Sequence, residues 1–326
     1  MRLPYSMPMP GMQQKGGKMK GLLMLAIACS LILSSCGSET AKDSDRLVIM
    51  ASSFPSYDAA RAIAGDRAEL TMLVPPGSDT HSFDPSVLDA MKIENCDLFI
   101  YTGGESDAWL AGLSGNAKAS FRLIDHVPVI LYETETGIIE AEEEHDHQHE
   151  RVADEHVWTS LTNEIAIISS LCDELCRLDP GSSDYYKANA AAYISSLEEL
   201  RAGFQAVVDS AERREIVVAD RFPLLYFASE FGLDWYAAFP GCASQSEPSA
   251  RTVSALIDKV REDEIPVVFH MELSNTLLSS VIASETGAEV RQFNSCHMIS
   301  KRDFDAGLTY VDAMRSNLRN LEEALN

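Results

Sequence analysis

Residues 183–211 read SDYYKANAAAYISSLEELRAGFQAVVDSA, and this stretch decides how the rest of the chain is arranged. Tyr186, Ala190, Tyr193, Leu197, Leu200, Phe204 and Val207 recur at steps of three and four, which puts one apolar stripe on one face of a helix. Pro180-Gly181 stops whatever precedes it, and Gly203 is the only glycine inside the stretch. At about 1.5 Å per residue the helix is ~40 Å long, the width of a small domain. So long a rod in mid-chain predicts a helix that spans two lobes, with function in the groove between them. A coiled coil is the alternative, but the pattern fades after about three heptads, short of what supercoiling needs.

The chain has 326 residues, 46% of them hydrophobic and 23% charged, a globular composition with enough apolar material for two cores. Its formal net charge of -24 argues against nucleic acid or an anionic membrane surface as partner and suits a protein that handles cations. The N-terminus stands apart from the fold. Arg2, Lys15, Lys18 and Lys20 form a basic region without acids, and residues 21–33 are apolar over the length of a signal-peptide core. Leu33-Ser34-Ser35-Cys36 then resembles a bacterial lipobox. That resemblance implies cleavage before Cys36, acylation of its sulfur, and an extracytoplasmic protein held on a bacterial lipid bilayer. Residues 1–35 are thus expected to be a signal peptide and 36–46 a lipidated tether.

Among the other cysteines, Cys172 and Cys176 lie one helical turn apart, as buried packing residues do, and Cys242 and Cys296 could pair. No C-x-x-C occurs, so a zinc ribbon or a thioredoxin-like site has no support.

Upstream of the long helix, strands alternate with helices. Residues 47–50 and 69–74 read as strands with a helix opening at Pro55 between them; 98–101 is a third strand, ended by Gly103-Gly104. A helix before that third strand is expected to be capped by Asp84, with Pro85 at its first position. Alternation of this kind predicts a parallel sheet covered by helices, with ligands beyond the carboxyl ends of its strands. His81 lies in such a loop, within H-S-F-D-P-S; it is either a metal ligand or an ordinary surface histidine. Residues 140–150 hold His145, His147 and His149 among carboxylates. Such a tract cannot bury a core and suits loose auxiliary capture of a borderline metal, although a plain solvated charge run would account for the glutamates. His156 follows, within D-E-H-V-W, just before a helix over 163–178 and beside an aromatic residue that could shield a site.

Downstream the alternation repeats, with strands at 215–219, 234–239, 265–271 and 288–293, helices between them, and one closing helix to the C-terminus. Their carboxyl ends carry Asp220-Arg221, His270 with Glu272, and Asn294-Ser295-Cys296-His297.

The lipobox, His81 in its loop, the His-rich acidic tract, His156 and the long central helix occur together, in this order. The chain thereby resembles the zinc/manganese ABC-transporter solute-binding lipoproteins over essentially all of its mature length. The resemblance implies an α/β fold of two lobes, each a parallel β-sheet flanked by helices, joined by one rigid helix. Lobe boundaries follow at 47–182 and 212–326. It also implies a divalent ion in the interlobe cleft, held by two ligands from each lobe, with His81 and His156 as the first-lobe pair. The family's third ligand, a histidine or glutamate after the first strand of the second lobe, corresponds to Asp220, whose other reading is a helix cap or an ion pair with Arg221. The family's fourth, an aspartate after the last strand, corresponds to Asn294. Asn294 is a poor zinc ligand, and His297 or Cys296 nearby is chemically better. Glu272 is a further candidate, or else a cap for the helix after it. Asp220 ranks first and His297 second.

The expected function is capture of zinc, with manganese as the alternative, and its delivery to a membrane permease by a monomeric protein that is not an enzyme. Two or three imidazoles plus a carboxylate favour zinc, whereas two second-lobe carboxylates would favour manganese. A secreted metallohydrolase is the rival, but H-E-x-x-H, G-x-S-x-G and the P-loop pattern are absent. A surface adhesin holding structural metal is the third reading.

Overall fold

The computed structural model describes residues 46–110, 113–133, 151–239 and 248–326. The signal segment with Cys36, the His-rich tract and Cys242 lie outside the described residues.

The first sheet has order β2-β1-β3-β4, all parallel: β1 (Leu47–Ala51), β2 (Ala68–Met72), β3 (Leu98–Tyr101) and β4 (Ser120–Arg122). Helix α1 (Phe54–Ala64) carries proline in its first turn and buries Phe54, Ala59, Ala60 and Ile63. Helix α2 (Val87–Asn95) starts two residues later than Asp84 would have it. Its cap is Ser86, whose hydroxyl accepts from the Asp89 amide while the Asp89 carboxylate accepts from the Ser86 amide, and this reciprocal pair outcompetes a single Asp84 cap. A short antiparallel hairpin follows, β5 (Leu131–Glu133) with β6 (Arg151–Ala153). Helix α3 (Leu161–Leu178), capped by Ser160, closes this lobe.

Helix α4 runs over Ser183–Ser210 and buries Tyr186, Ala190, Leu197, Leu200, Phe204 and Val208. The stripe ends on Val208 where the sequence pattern suggested Val207. Its first half meets the first lobe: the Asn189 amide donates to the Ile63 carbonyl at 3.0 Å and Tyr193 to Asp58 at 3.1 Å. Its second half meets the second lobe through Phe204, whose ring centroid lies 5.1 Å from that of Phe227. Gly203 lets Leu318 pack closely there, since a Cβ would stand 2.9 Å from Leu318 Cδ2 and push that side chain aside.

The second sheet, order β10-β9-β7-β8, is also fully parallel. It comprises β7 (Glu215–Arg221), β8 (Asp234–Phe239), β9 (Val267–Met271) and β10 (Glu289–Phe293). Helices α5 (Leu225–Phe231), α6 (Ala250–Glu262) and α7 (Leu277–Thr286) connect them. The closing segment is two helices, α8 (Lys301–Asp305) and α9 (Tyr310–Leu325), because Thr309 and Asp312 build a fresh capping box after the turn at Gly307.

One hydrophobic cluster joins Ile49 and Leu98 of the first sheet through Leu197 and Phe204 of α4 to Phe269 and Phe293 of the second. The lobes therefore share a core. Buried Asp58 of α1 reinforces the joint: it pairs with Arg61 and accepts from Tyr193 of α4 and from the Tyr310 amide of α9 at 3.0 Å.

Candidate metal centre

All the site's side chains come from loops beyond strand ends; His81 and His297 follow strands of the two parallel sheets, where such sheets place ligands, and Glu155 and His156 follow the antiparallel hairpin. His81 follows β2 in a short turn that Asp79 caps by accepting from the His81 amide at 2.9 Å. Glu155 and His156 follow β6. His297 follows β10. One atom from each of these four residues lies within 4.8 Å of the other three, and all but His81 are buried. They sit beside a cavity of ≈ 700 Å³ whose wall includes His81, His297, Asp220, Arg221 and Glu272.

Each donor is aimed by a neighbour. His156 Nδ1 lies 2.9 Å from Asp154 Oδ1, and the His156 amide donates to the same oxygen at 2.8 Å. That pairing assigns the Nδ1–H tautomer and leaves Nε2 as the basic nitrogen. Glu155 Oε2 accepts from the Ser106 amide at 2.8 Å and from the Ser106 hydroxyl at 2.9 Å. Glu155 Oε1 is buried, accepts no hydrogen bond among the described residues, and lies 3.8 Å from His81 Nε2. A buried carboxylate oxygen without a donor is costly, and a cation among the imidazoles would satisfy it.

His297 stands at the centre, its ring centroid 5.1 Å from His81 and 5.0 Å from His156, both edge-on. Thr80 Oγ1 lies 2.9 Å from its Nε2. Burial, with His156 and His81 beside it, holds its pKa well below the ordinary histidine value. A neutral imidazole is the form that coordinates a metal.

The backbone under His297 is fixed by Glu272. That carboxylate accepts from the Ser295 amide at 2.7 Å, the Ser295 hydroxyl at 2.6 Å, the His297 amide at 3.1 Å and the Met298 amide at 3.3 Å. From the first lobe, the Trp158 indole donates to the Ser295 carbonyl at 2.8 Å. Within the loop Cys296 takes a φ of 61°, a left-handed conformation that costs about 1 kcal/mol and persists because bonds on both sides hold it.

Four of the sequence candidates are not in the cluster. β7 continues through Asp220 and Arg221, so Asp220 lies along the sheet and its carboxylate accepts from the Met271 and Arg221 amides. The Arg221 guanidinium pairs with Asp79, 3.6 Å away, and not with Asp220. Asn294 is engaged with Gln292 and Asn317. Cys296 is buried and contributes no atom to the cluster, and burial pushes its thiol far above its usual value. Glu272 spends both oxygens on the His297 loop, and the N-cap position of α7 is Thr276, so Glu272 neither joins the cluster nor caps that helix. The cluster therefore draws three donors from the first lobe and one from the second, where two and two were expected. Glu155 was not singled out in the sequence; its only signal is an acid beside His156, ahead of the apolar Val157-Trp158.

Comparison with known proteins decides the family. The model of the zinc-uptake complex component A, periplasmic (ZnuA), matches residues 49–324. The chain belongs to this family. Its members are solute-binding proteins, not enzymes. The chain is 27% identical over 320 residues to the high-affinity zinc uptake system protein ZnuA of Bacillus subtilis, covering 94% of this chain and 98% of that one. It is 27% identical over 305 residues to the zinc-binding lipoprotein AdcA of Streptococcus pneumoniae, spanning 60% of that longer protein. The Zn(II)-bound ZnuA-like domain of pneumococcal AdcA superposes with a TM-score of 0.71 at 24% identity, over 86% of this chain and 99% of that domain, which establishes the shared fold.

Proposed function

We propose that this ZnuA-family chain captures a divalent transition metal outside the cytoplasm, zinc in preference to manganese, and hands it to an ABC permease. The observation that carries the reading is the buried convergence of His81, Glu155, His156 and His297 within 4.8 Å. Three imidazoles and one carboxylate oxygen form the donor set of four-coordinate zinc, whereas manganese prefers more oxygen. No second carboxylate joins the cluster among the described residues. The zinc-uptake relatives support the same choice of cargo.

Capture consists of exchanging bound water for these four donors in a pre-aimed pocket. Asp154 keeps His156 Nε2 pointed inward, Ser106 turns Glu155 Oε1 to the same point, and Glu272 with Trp158 holds the His297 loop. The shared core and α4 resist wide opening. Release needs only a small shift of the β10–α8 loop, which withdraws His297 and leaves three donors on the first lobe. Residues 47–182 and 212–326 serve as the lobes about the 183–211 connector. Acylated Cys36 keeps the monomer beside its permease.

Elemental analysis and titration with zinc and manganese test this reading. One tightly bound zinc per chain, with manganese weaker, is expected; catalytic turnover without stoichiometric binding, or manganese bound more tightly, would overturn it.

A further inference from the structure

Resting on that reading, we infer that Ser106 is a positioning residue that sets metal preference by restricting Glu155 to a single donor oxygen. The serine presents two donors, amide and hydroxyl, and both go to the same carboxylate oxygen, Oε2. The other oxygen, Oε1, is left to the imidazoles. A carboxylate held in this way cannot turn both oxygens to one ion.

The surroundings enforce the clamp. Asp107 Oδ2 accepts from the Thr102 amide at 2.8 Å and the Gly103 amide at 2.9 Å, which folds the loop after β3 back on itself and brings Ser106 over the site. Gly104 has no Cβ because one would stand 2.2 Å from Glu155 Oε2 and 2.1 Å from Glu155 Cβ. The carboxylate is thus packed against backbone on one side and fastened by Ser106 on the other.

With one oxygen from Glu155 and one nitrogen from each of three histidines, the site closes at four donors, the number zinc favours. Freeing Oε2 would allow bidentate attachment and a fifth donor, and would raise the oxygen content toward what manganese prefers. Ser106 acts through Glu155 and touches no metal itself.

The test uses the full-length chain in detergent, with Ser106→Ala and Glu155→Gln beside the wild type, and Zn(II), Mn(II) and Co(II) as probes. Wild-type Co(II) should give the intense visible absorption of a tetrahedral site. Ser106→Ala removes the hydroxyl donor and keeps the amide on Oε2, so that absorption should weaken in part and the ratio of manganese to zinc dissociation constants should fall severalfold. Glu155→Gln should weaken zinc binding without moving the protein toward manganese, which separates loss of the oxygen from loss of its restraint. An unchanged ratio and unchanged Co(II) spectrum in Ser106→Ala would overturn the inference while leaving zinc capture standing. Absence of one-to-one zinc binding in the wild type would overturn both. Should Ser106→Ala fail to fold, zinc X-ray absorption on the wild type decides: one carboxylate oxygen at about 2.0–2.2 Å supports the restraint, and two oxygens refute it.

Discussion

Replacing Glu272 by glutamine weakens the support of the His297 loop while leaving every proposed ligand in place. Four hydrogen bonds of 2.6–3.3 Å end on this carboxylate, three on Oε1 and one on Oε2. A glutamine that keeps its carbonyl at the Oε1 position must face the Ser295 amide with its own NH2. That leaves a buried donor opposite a donor, at a cost of about 1–3 kcal/mol. The loss is moderated because burial raises the Glu272 pKa, so the native carboxylate is itself held at some desolvation cost. A net destabilisation of about 2 kcal/mol follows, or roughly 3 °C in Tm for a chain of this size. Metal binding should suffer as well, since removing a group that orients a ligand costs roughly 10–100-fold in affinity. The assay is thermal unfolding with and without zinc, paired with chelator-competition titration. A lowered Tm with zinc affinity within twofold of wild type would refute the argument that Glu272 positions His297 for the ion.

Other substitutions follow from the same geometry. His81→Ala and His156→Ala should each lower zinc affinity by at least about a hundredfold, the loss expected for a direct donor exceeding the 10–100-fold of an orienting group; Asp220→Ala should leave it within a few-fold, and competition titration distinguishes these outcomes. Asp154→Asn should weaken zinc roughly 10–100-fold without unfolding the chain, because the amide no longer fixes the His156 tautomer; circular dichroism checks the fold. Burial, with Asp58 nearby, pushes the Glu164 carboxyl up to about 8 from 4.5. The folded state therefore binds the extra proton between those two values, and the Glu164 contribution to stability falls as pH rises through that window, by up to about 1.4 kcal/mol per pH unit. Glu164→Gln should remove that slope in urea unfolding measured from pH 5 to 8. Zinc affinity runs the other way, falling as pH drops through the histidine range because protonated imidazoles cannot coordinate.

Much of the fold was legible because periodicity survives in long elements. The stripe from Tyr186 to Phe204 announces α4, and short apolar runs announce β1, β3, β7 and β8. The hairpin β5–β6 was not legible, since three-residue strands such as Arg151–Ala153 carry no alternation to detect. At the site, His81 and His156 stood out by residue type. Glu155 did not, because adjacent residues on a regular strand face opposite sides. Here the chain leaves β6 into a turn, with His156 at φ -80° and ψ 42°, and both side chains reach one point. Asp220 lies outside the cluster because β7 runs two residues further than the apolar run suggests and the carboxylate accepts from the neighbouring strand's Met271 amide.

The most direct test of the central claim is a crystal structure of the zinc complex with an anomalous difference map. The account predicts one peak bonded at about 2.0–2.2 Å to His81, Glu155 Oε1, His156 Nε2 and His297. A zinc peak on Asp220, or an interlobe site left empty with those three rings turned away, would contradict it.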